Sequence, residues 1–398
     1  MTDSIDRLLA YQIQSRHFPG PLVHVERAGK VLAHQVAGRI GPDSDEPMHD
    51  AVLFRLASLT KSIVTFAALM QVDEGALALD APIADDLPEF TDVRMSSGAR
   101  PDRAPTVRDL MRHTSGLAYH WEVPEAHLRE RATQSPFVAR MPCIDARAFV
   151  RDLAALPLMA QPGTRFRYGY SSDVLGMIVE MIDGVTLGQA LRKRLFDPLG
   201  MRETGFEVPA TQHARLAPAF AADAAWHAMV PGYGMRKAGQ PWMESGGGGL
   251  VATIGDYINF ARMLANGGRV GGERFLTDTL FADMSRNQLP DGVDGPYAYT
   301  GPGFGFGLGM AVRHDCGSAA KPMNLASGKV NFFVVFDLCA IPLDCHCVHG
   351  SIPCCFSHLR MLCTAPLSVF GGTCGRPWTR AAGRFLAFRA AVLQRQIA

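Results

Sequence analysis

A serine and a lysine separated by two residues, Ser58 and Lys61, form the first arrangement that could do chemistry. The apolar residues that follow recur with a helical period, which predicts a helix from near Ser58 to about Gly75. At a helix start, a serine hydroxyl lies beside unpaired backbone N–H groups, and a residue three positions later shares its face. The spacing suits a nucleophilic serine with a lysine base. It also suits an ordinary capping serine followed by an exposed lysine.

A tyrosine-rich turn provides a second candidate. Tyr170 lies in Tyr168-Gly-Tyr-Ser-Ser-Asp173, directly before a helical pattern. A tyrosine in such a turn can move protons when a nearby lysine lowers its pKa. The alternative is a half-buried aromatic residue that anchors the turn, with Ser172 or Asp173 capping the helix.

A run of four glycines lies within Ser245–Thr253, where a backbone could approach a ligand closely. The run lacks the lysine of a phosphate-binding loop and the spacing of a dinucleotide-binding turn. Gly247 and Gly248, in the middle of the run, are therefore candidate contacts for a small substrate.

Two other segments are interpreted as structural. His113-Thr-Ser-Gly116 is typical of a turn, because adjacent residues in a turn seldom direct a histidine at a serine. The Cys- and His-rich stretch 345–363 fits neither a zinc-finger nor a zinc-ribbon spacing, so we expect no metal site there.

Composition excludes several classes of function. The 398 residues include 39 Lys plus Arg and 38 Asp plus Glu, a net charge of +1 that gives no electrostatic footprint for nucleic acid. No apolar stretch approaches the roughly 20 residues of a membrane-spanning helix. The opening stretch, MTDSIDRLLAYQIQ, is polar and acidic, unlike an export signal, so we expect a cytoplasmic protein. The oligomeric state stays open.

Four segments in order give these candidates a common context. They are Phe54–Lys61 (FRLASLTK), Leu110–Leu117 (LMRHTSGL), Pro162–Gly176 (PGTRFRYGYSSDVLG) and Ser245–Thr253 (SGGGGLVAT). Together they resemble the serine β-lactamase-related superfamily, and within it the class C-like family VIII carboxylesterases. The resemblance covers roughly residues 8–315. It implies an α/β (α+β) fold, a β-lactamase/penicillin-binding-protein-like antiparallel sheet flanked by helices with an all-α insertion domain, and it implies no cofactor.

The same resemblance implies acyl transfer on a small-molecule ester substrate. Ser58 would attack the ester carbonyl with help from Lys61 and Tyr170, and Tyr170 would return the proton to the leaving alcohol. Which of the two removes the first proton stays open. Ser172 stands where the family often has asparagine, which favours short-acyl esters over lactams. The alternative on this scaffold is a β-lactamase or D-Ala-type peptidase.

The resemblance divides the chain into a sheet domain, residues 1–65 and 245–398, and a mainly helical insertion, residues 66–244. Residues 316–398 are atypical, because they hold eight of the nine cysteines but only two acidic residues. The family's third motif, on a strand that should supply a second oxyanion N–H, has no convincing match there. Our hypothesis is a change of reading frame near residues 315–330. An inactive family member with a disrupted C-terminal region is therefore a further alternative.

Overall fold

The fold is described from a computed structural model. It describes residues 2–14, 19–120, 126, 130, 134–135, 141–218, 233–236, 238–296, 304–313, 332–336 and 360–364.

The helices in these ranges are α1 Thr2–Gln14, α2 Thr60–Asp73, α3 Val107–Met111, α4 Ala146–Ala154, α5 Ser171–Asp183, α6 Leu187–Leu191, α7 Asp197–Leu199, α8 Ile254–Ala265 and α9 Asp278–Ser285. The strands are β1 Leu22–Arg27, β2 Lys30–Val36, β3 Phe54–Arg55, β4 Val251–Ala252, β5 Arg269–Val270, β6 Glu273–Arg274, β7 Phe304–Phe306, β8 Ala311–Arg313, β9 Phe332–Phe336 and β10 Arg360–Thr364. Short 3₁₀ turns cover Ala57–Leu59, Ile83–Asp85, Pro88–Phe90 and Ala210–Arg215, and Arg192–Phe196 is a π-helical turn.

The largest sheet has the order β2-β1-β10-β9 and is antiparallel throughout. Its first hairpin turns at Ala28 and Gly29, both with positive φ, a geometry whose twist suits a two-residue connection. Residues 22–27 and 31–36 are β-rich runs whose sequence predicts a hairpin, and this prediction is confirmed. Strand β9 pairs with β10 in continuous register.

Helices pack on both faces of this sheet, and successive side chains of β1 point to opposite faces. Val23 and Val25 pack with Ile5 and Leu9 of α1. On the opposite face, Arg262 of α8 donates to the buried carboxylate of Glu26 at 2.9 Å. The expected antiparallel sheet flanked by helices is confirmed.

Helix α2 lies at the centre of the main core. Its residues Ile63, Val64, Phe66 and Leu69 are buried on all sides, as expected for a helix that is apolar around its circumference. It packs against α5, and the Phe66 ring contacts the Phe260 ring of α8 edge-on at 6.0 Å. The predicted helix start is confirmed to within a turn, since the 3₁₀ turn Ala57–Leu59 runs directly into α2.

Strands β3 and β4 bring residues 54–55 beside residues 251–252. The segment before Ser58 therefore lies next to the segment that follows the glycine run. The division into residues 1–65 with 245–398 and 66–244 stays a prediction, and most of residues 316–398 lies outside the described residues.

Within the described ranges, no single helix is long and apolar enough to cross a membrane. The helical segments Ser171–Asp183 and Leu187–Leu199 together have the length and apolar composition of a span, but the pair bends by 75° at the break between them.

Candidate active site

Ser58 lies in the 3₁₀ turn Ala57–Leu59, and contacts of the neighbouring residues fix the position of this turn. The N–H of Leu56 donates to the carbonyl of Leu250 at 2.8 Å, and Ala57 takes a left-handed φ of 46°. A non-glycine residue in this region is strained and persists only where the surrounding structure imposes it. The Ser58 side chain is exposed, so a substrate has access to its hydroxyl. Its N–H belongs to the first turn, which leaves such groups without an intrahelical acceptor.

Lys61 lies beneath Ser58 and is buried, with 2% of its surface exposed. Its amine is within hydrogen-bond distance of three oxygens: 3.3 Å from Ser58 Oγ, 3.1 Å from the Tyr119 hydroxyl and 2.5 Å from the Gly247 carbonyl. An ammonium would donate one hydrogen to each oxygen. A neutral amine has two hydrogens, and with these on Gly247 and Tyr119 its lone pair faces Ser58. In that arrangement the neutral amine is placed to accept a hydrogen bond from the Ser58 hydroxyl.

Aromatic rings surround the Lys61 amine. The amine lies 4.8 Å from the ring centroid of Tyr168 and 5.6 Å from that of Tyr119. His113 lies behind Tyr168, with ring centroids 4.6 Å apart, and burial followed by the charge of Lys61 lowers the pKa of His113 well below its ordinary value. His113 thus stays neutral beside the site. This apolar lining strengthens electrostatic interactions at the amine.

Tyr170 is close to this cluster, but its hydroxyl has a different partner. It lies 3.1 Å from Nδ1 of His120, while its ring meets that of Tyr119 edge-on at 4.7 Å. Burial raises the pKa of both phenols well above the ordinary value. The hydroxyl that receives a hydrogen bond from Lys61 is that of Tyr119, so the catalytic role assigned to Tyr170 stays a prediction.

Sequence reasoning missed Tyr119 and Tyr168 as neighbours of Lys61. A signal for Tyr168 was present, because Tyr168-Gly-Tyr170 offers two tyrosines to one motif and only the second was chosen. Tyr119 follows the His113–Leu117 segment by two residues, and only the fold brings it 58 residues back to Lys61.

The glycine run is tied to the start of α5. Asp173 Oδ1 accepts a hydrogen bond from Ser245 Oγ at 2.5 Å and from the Gly247 N–H at 3.0 Å. A Cβ on Gly247 would overlap the Asp173 carboxylate, and one on Gly246 would overlap the Ser172 carbonyl. These close approaches explain the glycines more directly than ligand binding does.

The three predicted substrate contacts are Ser172, Gly247 and Gly248, and the two glycines have hydrogen-bond partners within the protein. The N–H of Gly247 binds Asp173 and its carbonyl binds Lys61, so its polar groups serve the protein interior. The N–H of Gly248 donates to the Ser245 carbonyl at 3.3 Å, and the Ser172 side chain is buried. Substrate contact by Gly247, Gly248 or Ser172 therefore stays a prediction.

In the part of the chain that the structure describes, no group of three or more His, Cys, Asp or Glu side chains is arranged to hold a metal ion. The Cys- and His-rich stretch 345–363 lies mostly outside the described residues, of which it contains only 360–363.

An exposed serine backed by a buried lysine amine defines the class of serine enzymes that work through an acyl intermediate. The model of the Beta-lactamase family matches residues 5–322, and the chain belongs to this family. The match ends at residue 322, within the segment in which cysteines become frequent and acidic residues become rare.

Relatives are similar over most of their own length. The chain is 32% identical to Esterase EstB of Burkholderia gladioli, over 80% of this chain and 82% of that protein. It is 34% identical to Protein Rv1367c of Mycobacterium tuberculosis, over 74% and 75% of the two chains. Among solved structures, EstCE1, described as a hydrolase with promiscuous acyltransferase activity, aligns with a TM-score of 0.74 at 25% identity, covering 98% of this chain and 97% of that one.

Proposed function

We propose that this chain is a serine carboxylesterase that cleaves short-acyl esters through an acyl-enzyme on Ser58. The observation that carries the proposal is the Lys61 amine, 3.3 Å from Ser58 Oγ and held by two further oxygens. The name of the relative EstB supports ester substrates, as does that of the Lovastatin esterase of Penicillium rubens, 35% identical over 55% of this chain.

In the first step, Lys61 takes the Ser58 proton while Oγ forms a bond to the ester carbonyl carbon. The carbonyl π electrons move onto oxygen, which lies near the Ser58 N–H at the helix start. Collapse of this intermediate breaks the bond to the leaving oxygen, which must gain a proton. Water then attacks the acyl-enzyme by the same sequence and releases the acid.

A phenol supplies the proton to the leaving alcohol and regains a proton from the Lys61 ammonium, which returns the amine to its neutral form. Tyr119 and Tyr168 both contact the Lys61 amine, Tyr119 through its hydroxyl and Tyr168 through its ring. Tyr170, the residue favoured by the sequence, contacts Tyr119 and His120. We therefore place Tyr119 and Tyr168 ahead of Tyr170 for this role.

Transfer of the acyl group to an alcohol instead of water is a second candidate reaction, because both reactions proceed through the same intermediate. Relatives named as acyltransferases support it, among them Acyltransferase calJ of Penicillium decumbens, 32% identical over 53% of this chain. Partition between water and added alcohol, followed as free acid against new ester, distinguishes the two.

The remaining alternatives are a β-lactamase or D-Ala-type peptidase, and an inactive member whose C-terminal region is disrupted. Ser172 in place of asparagine favours esters over lactams. A cytoplasmic location and the absence of nucleic-acid or membrane partners stay predictions.

The test is hydrolysis of p-nitrophenyl acetate and butyrate by the purified protein beside Ser58→Ala, with nitrocefin as the lactam substrate. We expect ester turnover that vanishes in Ser58→Ala, with little nitrocefin turnover. Nitrocefin turnover exceeding ester turnover would favour the lactamase. Folded protein without any turnover would favour the inactive member.

A further inference from the structure

Asp173 is a buried carboxylate that the mechanism above does not use. It lies in the first turn of α5, with 4% of its surface exposed. One of its oxygens, Oδ1, accepts both from the Ser245 hydroxyl at 2.5 Å and from the Gly247 N–H at 3.0 Å. A buried carboxylate is costly without such donors, so their position is strongly determined.

Gly247 connects this carboxylate to the candidate base. Its N–H binds Asp173, and its carbonyl accepts from Lys61 at 2.5 Å. Both groups belong to one residue, so the direction of the carbonyl depends on where the carboxylate holds the N–H. A rotation of this backbone segment would remove one of the two fixed acceptors that turn the Lys61 lone pair towards Ser58.

The fit between Asp173 and Gly247 leaves little room for another arrangement. The space that a Cβ on Gly247 would occupy is already filled by both carboxylate oxygens. The neighbouring Gly246 is pressed in the same way against the Ser172 carbonyl, also in the first turn of α5. The position of the glycine run therefore depends on the position of α5.

We propose that Asp173 is a positioning residue that fixes the Gly247 peptide and, through it, the orientation of the Lys61 amine. This inference rests on the proposed function, in which Lys61 is the base. Asp173 touches neither the ester nor Ser58 in this scheme and acts through Gly247.

Several ionisable groups surround the carboxylate. Burial raises the pKa of Asp173, while the hydrogen bond from Ser245, the charge of Lys61 and the Gly247 N–H oppose that rise. Burial, and then the charge of Asp173, raise the pKa values of Tyr119, Tyr170 and Tyr233.

The experiment measures the rate at which a fluorophosphonate labels Ser58, and kcat/KM for p-nitrophenyl acetate, from pH 5 to 10. Asp173→Asn keeps an oxygen for the Gly247 N–H, and we expect a loss of about 10-fold at pH 8, against about 100-fold for Asp173→Ala. In both variants we expect the labelling rate and kcat to fall while KM changes by less than about threefold, because the change displaces the amine and leaves the ester-binding surface intact.

Asp256→Asn is the matched control. Asp256 is also a buried carboxylate near a helix start, and it accepts from a hydroxyl and a backbone N–H, those of Thr204 and Glu203, both at 2.8 Å. We expect the control to keep the wild-type labelling rate and pH profile in folded protein.

Three outcomes are distinct. A loss of labelling rate and kcat in Asp173→Ala that is smaller in Asp173→Asn, with Asp256→Asn at the wild-type level, supports the inference. An Asp173→Asn profile that superimposes on that of Asp256→Asn overturns it, even if both proteins are less stable. Wild-type protein that is labelled at Ser58 but hydrolyses no ester overturns the proposed esterase, while the labelling profile still decides the role of Asp173.

Discussion

The amine of Lys61 donates a 2.5 Å hydrogen bond to the carbonyl oxygen of Gly247, 186 residues away along the chain. This contact connects the glycine run to the buried Lys61 amine, which we propose as the base. A buried amine requires polar partners, and this carbonyl is one of the partners of Lys61, which has 2% of its surface exposed.

Replacement of Lys61 by arginine is expected to abolish most ester turnover. Arginine keeps a positive charge but does not deprotonate in proteins, so it cannot serve as the base. We expect kcat/KM for p-nitrophenyl acetate to fall by about 10²–10⁴-fold, the range for loss of a general base. Fluorophosphonate labelling of Ser58 should fall in parallel. Turnover above a tenth of wild type would contradict a base role for Lys61.

Three tyrosine-to-phenylalanine variants separate the candidate phenols. Tyr119→Phe removes the hydroxyl that binds Lys61, and Tyr168→Phe removes the hydroxyl of the ring that lies over the amine. We expect each to lower kcat by about 10–10³-fold, and Tyr170→Phe by less than 10-fold. Deacylation, measured after an acylation burst, should slow in the same order. A larger loss in Tyr170→Phe than in the other two would restore the role that the sequence suggested.

Adding a methyl group to two adjacent glycines should lower the stability at one position and leave it nearly unchanged at the other. In Gly247→Ala the new Cβ overlaps the Asp173 carboxylate, whereas in Gly248→Ala it lies 3.8 Å from the Ala57 backbone, an ordinary contact. We expect thermal unfolding of Gly247→Ala to occur several degrees lower, on the order of the 2–4 °C that 1 kcal/mol produces in a domain of 150–250 residues. Gly248→Ala should unfold close to wild type. Equal unfolding temperatures would show that the glycine run adjusts freely.

A half-buried carboxyl on α5 makes stability depend on pH. Burial, and then the charge of Glu244, raise the pKa of Glu180 from 4.5 to about 7. A folded pKa above the unfolded one means that the stability from this carboxyl is complete below pH 4.5 and is lost as pH rises to about 7. Glu180→Gln removes that loss.

We therefore expect Glu180→Gln to unfold at a higher temperature than wild type at pH 8 and at nearly the same temperature at pH 4.5. Glu273→Gln, on the exposed β5–β6 hairpin, provides the comparison and should match wild type at both values. A Glu180→Gln curve parallel to wild type across this range would contradict the assignment.

The reading-frame hypothesis is testable on the gene itself. The match to the family ends at residue 322, and residues 316–398 hold eight of the nine cysteines. We expect one of the two other frames beyond codon 315 to encode a segment that resembles the relatives, including a third motif. Two other frames without such a segment would remove the hypothesis.

Much of the site was predictable from local patterns, because Ser58 and Lys61 lie within one turn and the helix pattern fixes their relation. The hairpin of β1 and β2 and the helices α2, α5 and α8 follow from periodicity in the same way. The contacts of Lys61 with Tyr119 and Gly247 were not predictable, because they join segments 58 and 186 residues away. Two tyrosines spaced by one glycine gave no local reason to prefer Tyr168 over Tyr170.

The burial of Lys61 beneath an exposed Ser58 has a consequence for the lifetime of the enzyme. An ester on Ser58 with a primary amine 3.3 Å from the same oxygen is chemically poised for migration of the acyl group to nitrogen. The resulting amide would not hydrolyse under the same conditions, and each such event would end catalysis in one molecule. The Gly247 carbonyl and the Tyr119 hydroxyl hold the Lys61 amine through hydrogen bonds. We expect these contacts to slow the migration, because the amine must leave them before it reaches the acyl carbon.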